Sequence, residues 1–178
     1  MNDNVQMTSC ISQCCKWCPG YAANHHDELF KALTGLTALW DSEVNRNVAY
    51  CLAEMFEKSS QAMMGHLNDG LLILKQIFEH KSSDQACRDN AVGAICRIIY
   101  TFNPPMPYEV FVDNLVKMMP FSGDEEEEGV AWKCLMFLHR VNKGLIVPYR
   151  DGLIKIMEND FANPKKYYLT EALMQMLR

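Results

Sequence analysis

The sequence has few of the residues that interrupt helices. It contains 9 glycines and 7 prolines among 178 residues, and most of them fall between segments whose apolar residues recur at helical spacing. It has no apolar run near the roughly 20 residues needed to cross a membrane. It also has no charged leader followed by an apolar core, the pattern of a signal peptide. We therefore expect a helical protein without a membrane segment.

The sequence also lacks an excess of positive charge. It has 22 Asp and Glu residues against 17 Lys and Arg, which argues against a nucleic-acid partner and agrees with a surface that receives basic proteins. The eight cysteines are expected to be reduced thiols, as in the cytosol or the nucleus. No change of composition divides the chain, so we expect a single domain over residues 1–178.

Motifs typical of enzymes are missing. There is no Gly-rich phosphate loop, no Gly-x-Ser-x-Gly and no His-Glu-x-x-His. His66, His80 and His139 lie at the ends of expected helices, where a surface or capping role is the simplest interpretation. We therefore predict that the protein is not an enzyme and has no catalytic residue and no cofactor.

Four cysteines and two histidines lie near the N-terminus: Cys10, Cys14, Cys15, Cys18, His25 and His26. Cys15-x-x-Cys18 has the spacing of a pair of zinc ligands, but no second spaced pair follows downstream. Cys10 and Cys14 are one helical turn apart, where they are expected to pack as small apolar residues. The simpler prediction is that this segment holds no metal.

Two similar segments, residues 43–54 and 85–96, form the most informative pattern. Each places an Arg next to or near an Asn and continues with small and apolar residues at helical spacing. The two arginines, Arg46 and Arg88, are 42 positions apart. A period of roughly 40–47 residues with two helices per period is typical of HEAT and armadillo solenoids, which present extended surfaces to other macromolecules.

The breaks between periodic segments divide the chain into helical hairpins. We predict an all-α fold, an α-α superhelix of HEAT/armadillo type, with a lone helix over 3–17 and four hairpins over 26–58, 64–102, 107–142 and 148–177. Ser42 is the expected N-cap of a helix over 43–58, and the prolines of 104–107 break the chain before the third hairpin. No polar capping repeat is evident at the N-terminus, so the chain looks like a slice of a longer array.

The run from Ala86 to Ile99 resembles the second helix of a HEAT repeat near the C-terminus of importin-β-type nuclear transport receptors, most closely those of the importin four branch. The following segments keep the order and spacing of that family: a proline loop, a Met-Pro helix end, an acidic helix start and a Cys-Leu-Met-Phe-Leu core, at residues 104–107, 119–120, 124–128 and 134–138. Residues 44–49 resemble the opening of the preceding repeat. The resemblance covers roughly residues 5–178 and is closest over 26–142.

This resemblance implies a protein-binding module in protein import into the nucleus, found in the cytoplasm and the nucleus. Its expected partners are cargo proteins with basic segments, such as nuclear localisation signals, histones and ribosomal proteins, with nucleoporins as further partners. The repeats that hold most of the Ran-GTP site in such receptors have no counterpart in this chain. Two alternatives stay open: a truncated importin-like paralogue that acts as a non-transport scaffold or competitor, and a helical-repeat part of an unrelated chromatin or phosphatase assembly.

One acidic segment is the candidate contact for a basic cargo: Asp124, Glu125, Glu126, Glu127 and Glu128. Clustered carboxylates attract a basic peptide, although each exposed ion pair contributes only about 0–1 kcal/mol. The alternative is a solvated first turn of a helix, stabilised by the helix dipole. Glu54, Glu57 and Asp69 are further candidates for an acidic surface.

Five polar residues of the two similar segments are predicted to form a ladder between neighbouring repeats: Arg46, Asn47, Arg88, Asp89 and Asn90. Buried polar groups must find hydrogen-bond partners, and a repeated structure supplies them at each interface. The alternative is that these residues face a partner protein.

Overall fold

The computed structural model describes residues 3–160, and these residues form helices that pack on helices, with no strand among them. The all-helical prediction is confirmed for this part of the chain. The α-helices are α1 (Asp3–Trp17), α2 (Pro19–Asn24), α3 (His26–Leu36), α4 (Ser42–Lys58), α5 (Ser60–Met63), α6 (Leu67–Glu79), α7 (Gln85–Phe102), α8 (Tyr108–Met118), α9 (Glu125–Val141) and α10 (Arg150–Asp160). The helix predicted over 165–177 lies outside the described residues.

The four longest helices form one layer. α1 packs on α4, α4 on α7, and α7 on α9, in chain order. Two shorter helices pack on this layer: α3 packs on α4, and α6 packs on α7. α8 joins the same apolar cluster as α7 and α9 through Val112 and Leu115.

α7 is the central helix of the layer and is buried on two sides. Its residues Ala91, Ala94 and Ile98 belong to a cluster that α4 completes with Leu52 and Phe56. Its residues Val92, Cys96 and Ile99 belong to a second cluster with Leu135 and Leu138 of α9. Because small and branched side chains alternate along α7, a neighbouring helix can approach it closely on both sides.

Three of the long helices begin with the same capping device. An aspartate at the N-cap accepts a hydrogen bond from a backbone N–H in the first turn: Asp41 from Val44, Asp84 from Cys87, and Asp124 from Glu126, at 3.0, 2.8 and 3.1 Å. Such a cap typically contributes about 1 kcal/mol to stability relative to Ala. The caps therefore explain why these helices begin where they do.

The predicted capping role of Ser42 is wrong, because Asp41 is the N-cap of α4. The Ser42 hydroxyl oxygen instead accepts a hydrogen bond at 3.1 Å from the backbone N–H of Asp84. It thereby joins the turn before α4 to the turn before α7.

Prolines act at two breaks in different ways. After α7, Asn103 takes a left-handed conformation (φ 47°), and the prolines that follow prevent the helix from continuing. This break was predicted. Pro19, in contrast, stands at the start of the short helix α2, a position where its fixed φ and missing N–H cost nothing. This short helix lies between the predicted lone helix over 3–17 and the predicted hairpin over 26–58, and it was not predicted.

No helix within residues 3–160 is long and apolar enough to span a bilayer.

Candidate functional site

The acidic segment 124–128 is divided between surface and interior. Glu125 and Glu126 are exposed, and Asp124 is half-buried, whereas Glu127 and Glu128 are 1% and 0% exposed. A basic peptide at this segment therefore meets two exposed carboxylates rather than five.

The Glu127 carboxylate is paired with Arg97 of α7. The Arg97 guanidinium donates to both carboxylate oxygens of Glu127, at 2.5 and 3.2 Å. Its Nε donates to Glu57 of α4 at 3.2 Å, and the Tyr100 hydroxyl donates to the other oxygen of Glu57 at 2.7 Å. These four residues, which we call the Arg97 network, connect α4, α7 and α9.

The electrostatics of the Arg97 network follow from its burial. Burial raises the pKa of the Glu127 carboxyl, and Arg97 opposes that rise. Burial acts to lower the pKa of Arg97, but Glu127 and its hydrogen bonds raise it overall. Burial and the hydrogen bond to Glu57 raise the pKa of Tyr100. The short two-point contact between Arg97 and Glu127 is the geometry of an ionised pair.

A glycine makes room for this ion pair. Gly93 lies one turn before Arg97 on α7, and a Cβ at its position would overlap the Glu127 carboxylate. Any larger residue would therefore push Glu127 away from Arg97. Gly93 thus lets α9 approach α7 closely enough for the pair to form.

Glu128 lies on the inner side of α9. The Trp132 indole N–H, one turn later on the same helix, is 3.4 Å from its carboxylate. Both residues are buried. Glu128 therefore belongs to the interior of the helix layer, and it is not part of a surface that a cargo segment could reach.

Three of the five residues considered for an inter-repeat ladder lie between neighbouring helices. The Asp89 carboxylate of α7 accepts from the backbone N–H groups of Gly123 and Asp124, at 2.8 and 3.1 Å. Asn90 donates to the Asp124 carboxylate at 2.8 Å. Asn47 of α4 donates to the Thr8 hydroxyl of α1 at 3.2 Å.

Arg46 and Arg88 do not take part in these links. The Arg46 guanidinium lies 4.0 Å from Glu43 of its own helix. Arg88 is half-exposed and makes no side-chain hydrogen bond within residues 3–160. Both arginines lie beside the linking residues in sequence, but their side chains leave the helix in a different direction. The arginine that does connect the long helices, Arg97, was not identified from the sequence.

The links between long helices recur at similar separations in sequence. Bonds from α1 to α4 join residues 39 to 43 positions apart. Bonds from α4 to α7 join residues 40 to 43 positions apart. Bonds between α7 and the start of α9 join residues 30 to 35 positions apart. The separation is therefore nearly constant along α1, α4 and α7, and it is shorter between α7 and α9.

A shallow pocket opens beside the Arg97 network, and we call it the inner pocket. Its volume is about 320 Å³, and its lining residues are Glu57, Tyr100, Lys133, Met136, Phe137 and Arg140. Lys133 and Arg140 are exposed. The pocket therefore presents two cations beside one carboxylate, which does not favour a basic side chain of a partner.

A second depression, which we call the apolar cleft, lies between α6, α7 and α8. Its volume is about 310 Å³, at the small end of the roughly 300–1,000 Å³ that ligand clefts span. Its apolar lining includes Leu71, Phe78, Val92, Ile95, Val110 and Phe111. Val110 is 58% exposed at its edge. The cleft can accept an apolar side chain from a partner.

The N-terminal cysteines are free thiols with different surroundings. Cys10 and Cys18 are exposed, Cys14 is half-buried and Cys15 is buried. Burial raises the pKa of the Cys15 thiol to about 11, so it stays protonated at neutral pH. Within residues 3–160 no cysteine belongs to a cluster of three side chains that could hold a metal.

The three histidines expected at helix ends have different surroundings. His139 is 9% exposed, and its Nδ1 has no hydrogen-bond partner among residues 3–160, so a surface role is wrong for this residue. His80 stacks on Trp40 with ring centroids 3.7 Å apart and accepts from the backbone N–H of Ser82. His66 lies against Asp27 and His26.

Compared with models of known families, with curated proteins and with solved structures, the chain matches none. The resemblance to importin-β-type receptors rests on the residue pattern alone.

Proposed function

We propose that this chain is a protein-binding module of HEAT/armadillo type that takes part in protein import into the nucleus. It resembles the cargo-binding C-terminal part of an importin-β-type receptor and would act in the cytoplasm and the nucleus. Its action would be to hold a basic segment of a cargo protein by polar and apolar contacts, with no covalent chemistry.

The repeated separation of the inter-helix links is the observation that carries this proposal. A stack of similar hairpins places equivalent residues of successive repeats side by side, which would produce links at 39–43 positions, as found between α1, α4 and α7. Such stacks offer long surfaces for macromolecules and seldom enclose a catalytic site.

Glu125 and Glu126 are the proposed contacts for the basic segment. Both are exposed on the first turn of α9, next to the Asp124 cap. Their attraction for a basic peptide is long-ranged and is weakened by salt. Glu127 and Glu128 would contribute indirectly, by fixing the helix that presents the two exposed residues.

The apolar cleft is the proposed contact for nucleoporins. Phenylalanine-glycine segments present isolated aromatic side chains, and a cleft lined by leucine, valine, isoleucine and phenylalanine buries such a group favourably. The exposed Val110 at its edge allows a test that does not disturb the core. A Val110→Asp variant would place a charge in the cleft, and Val147→Asp is its control because both valines are 58% exposed.

A pull-down from cell extract tests the proposal. The immobilised wild type is compared with a Glu125→Gln/Glu126→Gln double variant and with a Glu109→Gln/Glu158→Gln control of equal charge change at exposed positions of α8 and α10. Histones, ribosomal proteins or other basic nuclear proteins should be recovered by wild type and control, and lost in the double variant. Recovery of no basic protein would contradict transport.

A second candidate is a truncated importin-like paralogue that serves as a non-transport scaffold or competitor. The observation that favours it is the small extent of the acidic surface: Glu127 and Glu128 are buried, and the inner pocket presents Lys133 and Arg140. Recovery of one unrelated complex, insensitive to the Glu125/Glu126 change and accompanied by no nucleoporin, would support this candidate over transport.

A further inference from the structure

We infer that His26, Asp27 and His66 form a binding site for a divalent transition-metal ion of the Zn²⁺ type. His26 and Asp27 open α3, and His66 ends the short 3-10 turn before α6. One nitrogen of each ring and one carboxylate oxygen lie within 4.8 Å of one another. Two imidazoles and a carboxylate are a ligand set that Zn²⁺ accepts, with a fourth position left for water.

The distances bring both rings to the same oxygen. The Nε2 of His66 is 2.7 Å from Asp27 Oδ1, and the Nε2 of His26 is 3.5 Å from the same atom. Ligands of a tetrahedral ion with bonds of roughly 2.0–2.2 Å lie a little over 3 Å apart. The Asp27 side chain is 75% exposed, so a small rotation suffices to reach that geometry.

The hydrogen bonding of His26 fixes the ring nitrogen that faces the site. Its Nδ1 lies 2.9 Å from the carbonyl oxygen of Ala23, and a carbonyl can only accept, so Nδ1 carries the proton. In the neutral ring the lone pair is then on Nε2, which faces Asp27. A nitrogen lone pair directed at a carboxylate oxygen is unfavourable unless a proton or a metal ion lies between the two atoms. An Nδ1–H bond to a backbone carbonyl is the arrangement usual for metal-binding histidines.

The second ring is held in place by packing. His66 stacks on the buried Phe30 ring, with centroids 4.3 Å apart and planes 22° apart. Its side chain is 21% exposed, and that of His26 is 29% exposed. The two histidine rings are therefore held against the protein, whereas the Asp27 side of the site is open to solvent. An ion can enter from that side. The Asp27 charge also offsets the partial positive charge of the α3 N-terminus.

The site would join two neighbouring hairpins. His66 and Asp27 are 39 positions apart, the same separation as the links within the layer of long helices. A bound ion would therefore tie the start of α3 to the segment before α6. Binding to the folded state alone raises the melting temperature by mass action.

The test is a titration of the metal-free full chain with Zn²⁺, and with Co²⁺ as a spectroscopic probe. The variants are Asp27→Asn and His66→Gln, and the control is His25→Gln, which changes the adjacent histidine. Circular dichroism and melting in chelator first establish that all four proteins are equally folded. Because Asp27 is exposed, Asp27→Asn is expected to fold normally, and it tests the site even if His66→Gln is less stable.

The expected result is uptake of one ion by wild type and control, a melting temperature raised by Zn²⁺ and restored by chelator, and tetrahedral Co²⁺ absorption without a thiolate band. Asp27→Asn and His66→Gln should lose more affinity than the roughly 10- to 100-fold caused by removing an outer hydrogen-bond partner of a ligand. Absence of uptake by wild type, equal binding by the variants, or a sulfur-to-cobalt charge-transfer band would overturn the assignment.

Discussion

Arg97 and Glu127 form a two-point ion pair in the interface between α7 and α9. The two hydrogen bonds measure 2.5 and 3.2 Å, and the side chains are 9% and 2% exposed. Removal of one partner would leave the other charge buried without compensation, which is costly even where the intact pair adds little net stability. The pair therefore makes the packing of α9 on α7 depend on both residues.

Replacement of Arg97 by Met should strongly destabilise the protein. It leaves the buried Glu127 carboxylate without its partner and removes one bond from Glu57, so a loss of about 3–5 kcal/mol in the free energy of unfolding is expected. Urea denaturation followed by circular dichroism measures this loss. The double variant Arg97→Met/Glu127→Met should recover a large part of it.

Two comparisons make that experiment decisive. Lys117→Gln breaks the exposed pair with Asp113, whose atoms are 2.6 Å apart, and should change stability little because that pair lies in solvent. If Arg97→Met were as mild as Lys117→Gln, or if the double variant were no more stable than the single one, the Arg97–Glu127 pair would not couple the two helices.

Replacement of Gly93 by Ala should destabilise, although alanine is the better helix former. The added Cβ would overlap the Glu127 carboxylate, and Glu127 cannot move without leaving Arg97. Gly35, on α3, has no atom within 4 Å of the corresponding Cβ position, so Gly35→Ala should gain roughly 0.5–1 kcal/mol. Opposite signs in thermal melting of the two variants are expected, and a stabilising Gly93→Ala would contradict the close approach of α9.

Replacement of Asp89 by Ala should destabilise the protein, whereas replacement of the neighbouring Arg88 should not. Asp89 is fully buried and accepts two backbone N–H bonds from the turn before α9. Its loss should cost about 1–3 kcal/mol, because the backbone N–H groups of Gly123 and Asp124 lose a charged acceptor. Arg88→Ala is the matched control and should lie within roughly 0.5 kcal/mol of wild type. Equal effects in chemical denaturation would mean that Asp89 does not link α7 to α9.

His139 should make stability depend on pH. Burial, with help from Lys143, lowers the pKa of this histidine in the folded protein. The unfolded chain therefore takes up the proton first, so the contribution is complete above the usual value of about 6.5 and is lost as pH falls through the lower folded value. His139→Gln should accordingly lose less stability than wild type between about pH 7 and 5.

The difference between the two proteins is the quantity to measure, since every other group titrates in both. Parallel curves for wild type and His139→Gln would contradict the burial of His139.

Helix positions could be predicted from the sequence because apolar spacing and prolines are local signals. The ends of the long helices agree with the predictions within one or two residues, and the break after α7 follows from Asn103 and its prolines. The N-cap of α4 was misassigned because Asp41 and Ser42 are both good caps. Only the packing of α4 against α7 shows that the Ser42 hydroxyl accepts a hydrogen bond from Asp84, in the turn before α7.

The candidate site was harder to predict from the sequence, because an acidic run suggests a solvent-exposed surface whether its side chains point outward or into the core. Helical spacing does contain a signal: Glu127 and Glu128 lie one turn before Ala131 and Trp132 on the buried stripe of α9. Arg97, alone in an otherwise apolar run, was a similar signal for a buried partner. Neither pattern identifies that partner, since the approach of α9 to α7 depends on tertiary packing around Gly93.

The most direct test of the proposed binding function is a calorimetric titration of the chain with a Lys/Arg-rich peptide, at low and at high salt. We expect saturable binding that weakens as salt rises. This binding should be lost in Glu125→Gln/Glu126→Gln, while Glu109→Gln/Glu158→Gln binds as wild type. Absence of binding at low salt, or equal binding by the Glu125/Glu126 variant, would contradict it.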